Sequence, residues 1–144
     1  MSTTGLEVFD KTLHTTNIWL DEVMDTVGPD RKVAWHVLGA VIRTLRDRLP
    51  LPVAANLGAQ LPLIVRGAYF DQFRPDHHAE RIDTVEAFIA HVTADLGHIR
   101  PVNVLLATHA VLAVLMRHVS AGQIEKVKEC LPTHLRSLWS QPSK

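Results

Sequence analysis

Residues 34–69 read AWHVLGAVIRTLRDRLPLPVAANLGAQLPLIVRGAY, and residues 104–139 read VLLATHAVLAVLMRHVSAGQIEKVKECLPTHLRSLW. Laid on one another at an offset of 70, the two stretches align over 36 positions without a gap. Ala40, Val41, Leu45, Leu61, Pro62 and Arg66 meet Ala110, Val111, Leu115, Leu131, Pro132 and Arg136 as identities. Leu57 meets Val127, Val65 meets Leu135, and Tyr69 meets Trp139. Six identities are few, but the prolines and the apolar positions keep register to the end. Self-similarity of this kind marks a supersecondary unit whose apolar face is covered by its neighbouring copy.

Within each unit the apolar residues recur at helical spacing, and no segment alternates as a strand would. Ala34, Val37, Leu38, Val41, Leu45 and Leu49 form one wide stripe, with Arg43, Arg46 and Asp47 off it. Asp30 is placed to cap that helix, and Leu49-Pro-Leu-Pro52 ends it while offering Pro52 to the first turn of the next. Pro62 has no N–H to reach the carbonyl of Gly58, so a kink or break is expected there, and likewise at Pro132. Upstream, Thr4-Gly-Leu-Glu7 has capping-box spacing, and Phe9, Leu13, Leu20, Met24 and Val27 stripe a first helix that Gly28-Pro29 stops. At an offset of 69, Val27-Gly28 lies on Leu96-Gly97, which ends a fourth helix capped near Asp83-Thr-Val-Glu86. Pro101 is expected to start the fifth helix, whose run of apolar residues to Met116 predicts the central position. Ser120-Ala-Gly-Gln123 is a second capping box, opening the sixth helix.

The expected fold is therefore all-α: a compact bundle of two pseudo-repeated three-helix units, each with a proline-kinked third helix. One domain spans residues 1–144, with the first unit at about 5–72, a linker at about 73–82 and the second unit at about 83–140. The ends, residues 1–4 and 140–144, are expected to carry no fixed structure.

Composition narrows the function by exclusion. Fifteen basic and fifteen acidic side chains cancel, whereas a protein that grips phosphates carries a basic excess, so no nucleic-acid partner is expected. Along the chain the charge alternates: −4 over residues 1–29, +4 over 30–75, −3 over 76–100 and +3 over 101–144. Acidic first helices beside basic helix pairs give mild surface complementarity, and the same pattern could guide docking. The most apolar run, Val102 to Met116, falls short of the roughly 20 residues a membrane span needs. The N-terminus lacks the basic start and apolar run of a signal peptide. With Cys130 alone no intramolecular disulfide can form, and the expected setting is cytoplasmic, with no membrane.

Leu45-Arg-Asp-Arg-Leu49, Ala55-Asn-Leu-Gly-Ala-Gln-Leu-Pro62, Arg66-Gly-Ala-Tyr69 and Glu86-Ala-Phe-Ile-Ala-His-Val92 together resemble the bacterial domain-of-unknown-function family 2267. Val119-Ser-Ala-Gly-Gln-Ile124, with Leu131-Pro132 and Leu135-Arg136, is similar to that family's closing motif. The resemblance runs from about Val8 to Trp139 and implies a helical cytosolic bacterial protein without an assigned activity. The second copy departs at Glu129-Cys130, where the first has Ala59-Gln60, and at Ser137 in place of Gly67.

Candidate sites are few. Gln60, Pro62, Arg66 and Tyr69 cluster within two turns of the break. Their structural reading is that Gln60 or Arg66 completes the carbonyls of Gly58 and Ala59 that proline strands; their functional reading is a polar pocket presenting Arg66 to a carboxylate or phosphate, with Arg136 as its counterpart. His109 interrupts an apolar helix and, if buried, needs a hydrogen-bond partner. The nine histidines form no His-Glu-x-x-His set, and His77-His78 are adjacent in the linker, so no metal is expected. Neither a Gly-x-Ser-x-Gly elbow nor a glycine-rich phosphate loop occurs, so no catalytic residue and no cofactor are assigned. Trp19, Trp35 and Trp139 read as core or interface anchors. The expected role is a non-catalytic module that binds a protein partner or pairs as a homodimer, through a face of the fifth helix bearing Leu106, Ala113 or Met116. The alternative is a small-ligand site, or an unrecognised enzyme, in the cleft between the two units.

Overall fold

A computed structural model describes residues 3–77 and 81–140, and in it the described chain is all-α with no strand. The helices are α1 (Glu7–Val27), α2 (Arg31–Arg48), α3 (Leu51–Ala59), α4 (Leu63–Phe70), α5 (Val85–Leu96), α6 (Val104–His118), α7 (Ala121–Cys130) and α8 (Thr133–Arg136). Short 3-10 turns occupy Pro75–His77 and Ser137–Trp139. Among the described residues no helix is long and apolar enough to cross a membrane.

Most helix starts follow from their caps. The side chain of Asp30 accepts from the N–H groups of Lys32 and Val33, Thr84 from Ala87, and Ser120 from Gln123. Two starts depart from expectation. Thr4 does not cap α1: Gly5 turns the chain at φ 83°, Leu6 takes the cap position without a side-chain bond, and Thr4 donates to Asp10 instead. That pair also gives Thr4 a fixed place in what was expected to be a loose end. Pro101 does not start α6, because the side chain of Asn103 accepts from Leu106 N–H and sets the start three residues further on, at Val104.

At Pro62 the chain breaks rather than bends. Helix α3 ends at Ala59, and Pro62, extended at ψ 150°, caps the separate helix α4. The break is closed by tight turns, with Gln60 N–H donating to Leu57 and Leu61 N–H to Gly58. Pro132 takes the same extended conformation ahead of α8.

The core is one cluster of buried side chains drawn from every α-helix. Its centre is α2 and not the fifth helix that hydropathy singled out. Eleven of the eighteen residues of α2 are buried, and α1, α4, α5 and α6 all pack on it. Helix α6 has six buried of fifteen and leaves Leu105 and Leu106 exposed. Its apolar run exceeds what the neighbours cover, so apolar count alone misplaced the centre. The expected linker also extends too far, since Ile82 is fully buried in the core. His78 and the side chain of His77 lie outside the described residues.

Helix α1 follows its expected stripe only in part. Thr12, Thr16, Trp19, Leu20 and Val23 are buried, while Phe9 and Leu13 on the same stripe stand in solvent at 47% and 42% exposure. The first turns of the helix are covered on one face, where Thr12 meets α4, and bare on the face of Phe9 and Leu13.

Where α3 meets α4, contact is close enough to require glycine. A Cβ on Gly58 would come within 2.5 Å of the Phe70 ring and 2.9 Å of the buried Tyr69 ring. Gly67, on an exposed position of α4, has no atom within 4 Å of its would-be Cβ. Gly58→Ala is therefore expected to destabilise by about 1–3 kcal/mol, and Gly67→Ala to stabilise by about 0.4–1 kcal/mol, measured by chemical denaturation. Equal effects of one sign at both positions would contradict this packing.

Candidate functional site

A groove of about 360 Å³ opens where the uncovered half of α1 passes the α3–α4 break and the end of α6. One face of α1, carrying Val8, Lys11, Thr12, Thr15 and Trp19 at spacings of three and four, forms a wall. Leu61, Pro62 and Leu63 form the facing wall, and Gln60 and His118 close one end. Residues from both halves of the chain therefore meet in it.

The walls are held by specific bonds. Gln60 donates from Nε2 to Ser120 Oγ and accepts at Oε1 from Ser120 N–H, tying the break to the start of α7. In the first half the corresponding helix is capped by Pro50, which has no N–H to satisfy, and in the second half Cys130 stands where Gln60 does. Across the groove, Thr12 Oγ1 accepts from Ile64 N–H and binds α1 to the first turn of α4. At the closed end the imidazole of His118 stacks on Trp19, with ring centres 5.2 Å apart. Its Nε2 lies 2.6 Å from Glu22, whose other oxygen forms an ion pair with Arg117 at 2.9 Å. The indole Nε1 of Trp19 is shut away from water without a partner among the described residues.

A larger recess of about 700 Å³, lined by Arg43, Arg46 and Arg74 with Asp47, Asp71 and Asp95, is a weaker candidate. Arg43 makes a two-pronged pair with Asp95 and donates to Ala68 O; Arg46 donates to the carbonyls of Tyr69 and Asp71 and to Asp47. The guanidinium groups of Arg43 and Arg46 serve the fold, and each is paired with a carboxylate where it stands.

Of the residues singled out in the sequence, Gln60, Pro62 and Trp19 line the groove. Arg66 lies behind it, donating from Nη2 to the carbonyls of Ala59 and Leu61. Of the two carbonyls expected to need completing, Arg66 takes that of Ala59, while Gly58 O accepts from Leu61 N–H instead. Tyr69 is fully buried and donates to Ala54 O at 2.7 Å. Burial pushes its phenol well above the ordinary tyrosine range, and the nearby Arg46 opposes this only in part. Arg136 is exposed and makes no hydrogen bond or ion pair among the described residues, unlike Arg66. His109 is half-buried on a separate crevice of about 130 Å³ beside Glu22 and Thr26, with Nδ1 enclosed and without a partner among the described residues. Among the described residues no three His, Cys, Asp or Glu side chains gather as metal ligands.

Lys11, Thr12, Thr15, Trp19 and His118 were not singled out together. The spacing of the first four on one face of α1 was readable, but the approach of His118, almost a hundred positions away, was not. The model of DUF2267, described as an uncharacterized conserved protein, matches residues 16–138. No curated protein matches the chain.

Tyr69→Phe is expected to lower stability at neutral pH by about 0.5–1.5 kcal/mol, the usual worth of one such bond. The raised phenol pKa stabilises the native state fully below about pH 10, the unfolded value, and that share is lost as pH rises further. Denaturation midpoints of the native chain should fall above about pH 10 by more than those of Tyr69→Phe; parallel declines would contradict the assignment.

Proposed function

We propose, for a chain that belongs to the DUF2267 family of uncharacterized conserved proteins, that it is a non-catalytic helical module that pairs with a second copy of itself through the uncovered half of α1. The observation that carries this reading is the continuation of a core stripe into solvent. Phe9 and Leu13 lie in register with buried Thr16, Leu20 and Val23, and Leu6 adds to them at 52% exposure. Large apolar side chains scattered singly need no explanation, but a stripe that runs out from the core is half of an interface.

The second copy is favoured by charge. A chain with fifteen positive and fifteen negative groups has no net repulsion to keep like copies apart. A twofold pair sets the same surface against itself, so one apolar stripe is enough to make both sides. Leu105 and Leu106 on α6 form a smaller patch, and Ala113 and Met116 beside them are half-covered within the chain, which makes the expected fifth-helix interface the weaker choice.

The repeat organisation belongs to the same proposal. Helices α3 and α7 begin at Leu51 and Ala121, and α4 and α8 at Leu63 and Thr133, both 70 residues apart. That spacing, with the shared extended prolines, supports two copies of one unit making a single domain. In this reading the groove lies within the first unit, with His118 contributed by the second, and it is the place where the alternative role, small-ligand binding, would reside.

Light scattering over a range of concentrations is expected to give the mass of two chains, and Phe9→Asp or Leu13→Asp to give one chain with unchanged helix content and melting temperature. A single-chain mass for the native protein at its highest concentration would remove the self-association reading.

A further inference from the structure

We propose that the groove between α1 and the α3–α4 break binds a small amphipathic monocarboxylate, with its apolar body along Leu61, Pro62, Leu63 and Trp19 and its carboxylate at Lys11 and Thr12. This goes beyond the pairing reading and does not depend on it. The groove face of α1 lies one residue, about 100°, around the helix from the stripe of Phe9 and Leu13.

Three observations lead to that ligand class. The first is size: about 360 Å³ is at the small end of pockets that hold organic molecules. The second is the balance of charge. No carboxylate lines the groove, and Lys11 is a lining cation with no ion-pair partner among the described residues. The neighbouring acids are accounted for. Asp10 accepts from Thr4 through both its N–H and its hydroxyl, Glu22 is shared between His118 and Arg117, and Glu7 lies outside the groove's lining. An unpaired ammonium beside apolar walls complements a molecule that is anionic at one end and greasy at the other. The third is the available donor. Thr12 Oγ1 already accepts from Ile64 N–H, so its own hydrogen is left to donate, and it stands next to Lys11 on the same face.

The site is also preformed. Gln60 with Ser120, Thr12 with Ile64, and His118 with Trp19 and Glu22 fix three of its sides without help from a ligand. A groove that need not be ordered on binding loses less affinity to conformational entropy. With its Nε2 committed to Glu22 and its ring stacked, His118 serves as a wall here.

Titrating the full-length protein with octanoate, followed by the indole N–H signals in two-dimensional NMR, tests the proposal. A saturable shift of the Trp19 signal at millimolar concentration is expected. Lys11→Met should weaken octanoate binding by about threefold to fivefold, the worth of an exposed ion pair, and octanol should bind the native protein more weakly than octanoate by a similar factor. Leu63→Glu, which sets a carboxylate on the exposed rim, should weaken octanoate further while leaving the fold intact. Absence of a saturable shift overturns the site. Equal binding of octanoate and octanol, unchanged by Lys11→Met, overturns the carboxylate. Repeating the titration on Phe9→Asp with the same affinity shows that the site does not depend on pairing.

Discussion

A helix buried on most of its circumference has to be enclosed, and α2 imposes that requirement on everything else in the chain. With eleven of eighteen residues out of water, it takes α1, α4, α5 and α6 to surround it. Two polar side chains it carries inward find partners within the domain. Thr44 donates back to Ala40 O, and the guanidinium of Arg46, only 5% exposed, donates to Tyr69 O and Asp71 O at the end of α4 and lies 5.1 Å from the Phe73 ring. A buried cation left without such partners would cost several kcal/mol. Arg46 thus fixes where α4 stops, and through α4 it fixes the position of the break at Pro62.

The two surfaces proposed for binding follow from that enclosure. Helices α3 and α4 are two short elements because Pro62 has no N–H to carry one helix through, and a crossing that tight is possible only with Gly58 beneath Tyr69 and Phe70. The break leaves Leu61, Pro62 and Leu63 facing α1 across open space, and α1 is long enough to pass beyond them. Its overhanging half therefore offers two faces. One looks into the groove with a lysine, two threonines and a buried tryptophan; the other carries Phe9 and Leu13 into solvent. In the proposed reading, stability and binding divide one helix between them, with Trp19, Leu20 and Val23 given to the core.

How much of this was readable depended on whether the deciding contact was local. Asp30, Thr84 and Ser120 cap helices through neighbours two or three residues away, and their side chains announce it in the sequence. Asn103 was missed because Pro101 is also a good opening residue, and the choice between them is decided by one side-chain bond. The centrality of α2 was hidden by Arg43 and Arg46, which lie off the apolar stripe in the sequence until Asp95 and the carbonyls at the end of α4 take them up from elsewhere in the chain. The groove was half legible. Gln60 and Pro62 stood out at the break, but Ser120 and His118, which complete it, come from the other half of the sequence.

Amide hydrogen exchange under native conditions tests the central claim most directly, because a helix enclosed on all sides can open only when the whole domain does. The amides of residues 37–45 in α2 should be the slowest in the protein, exchanging with the free energy of global unfolding, and those of the first two turns of α1 the fastest among helical residues. Exchange in α2 by local opening, at rates like those at the start of α1, would contradict it.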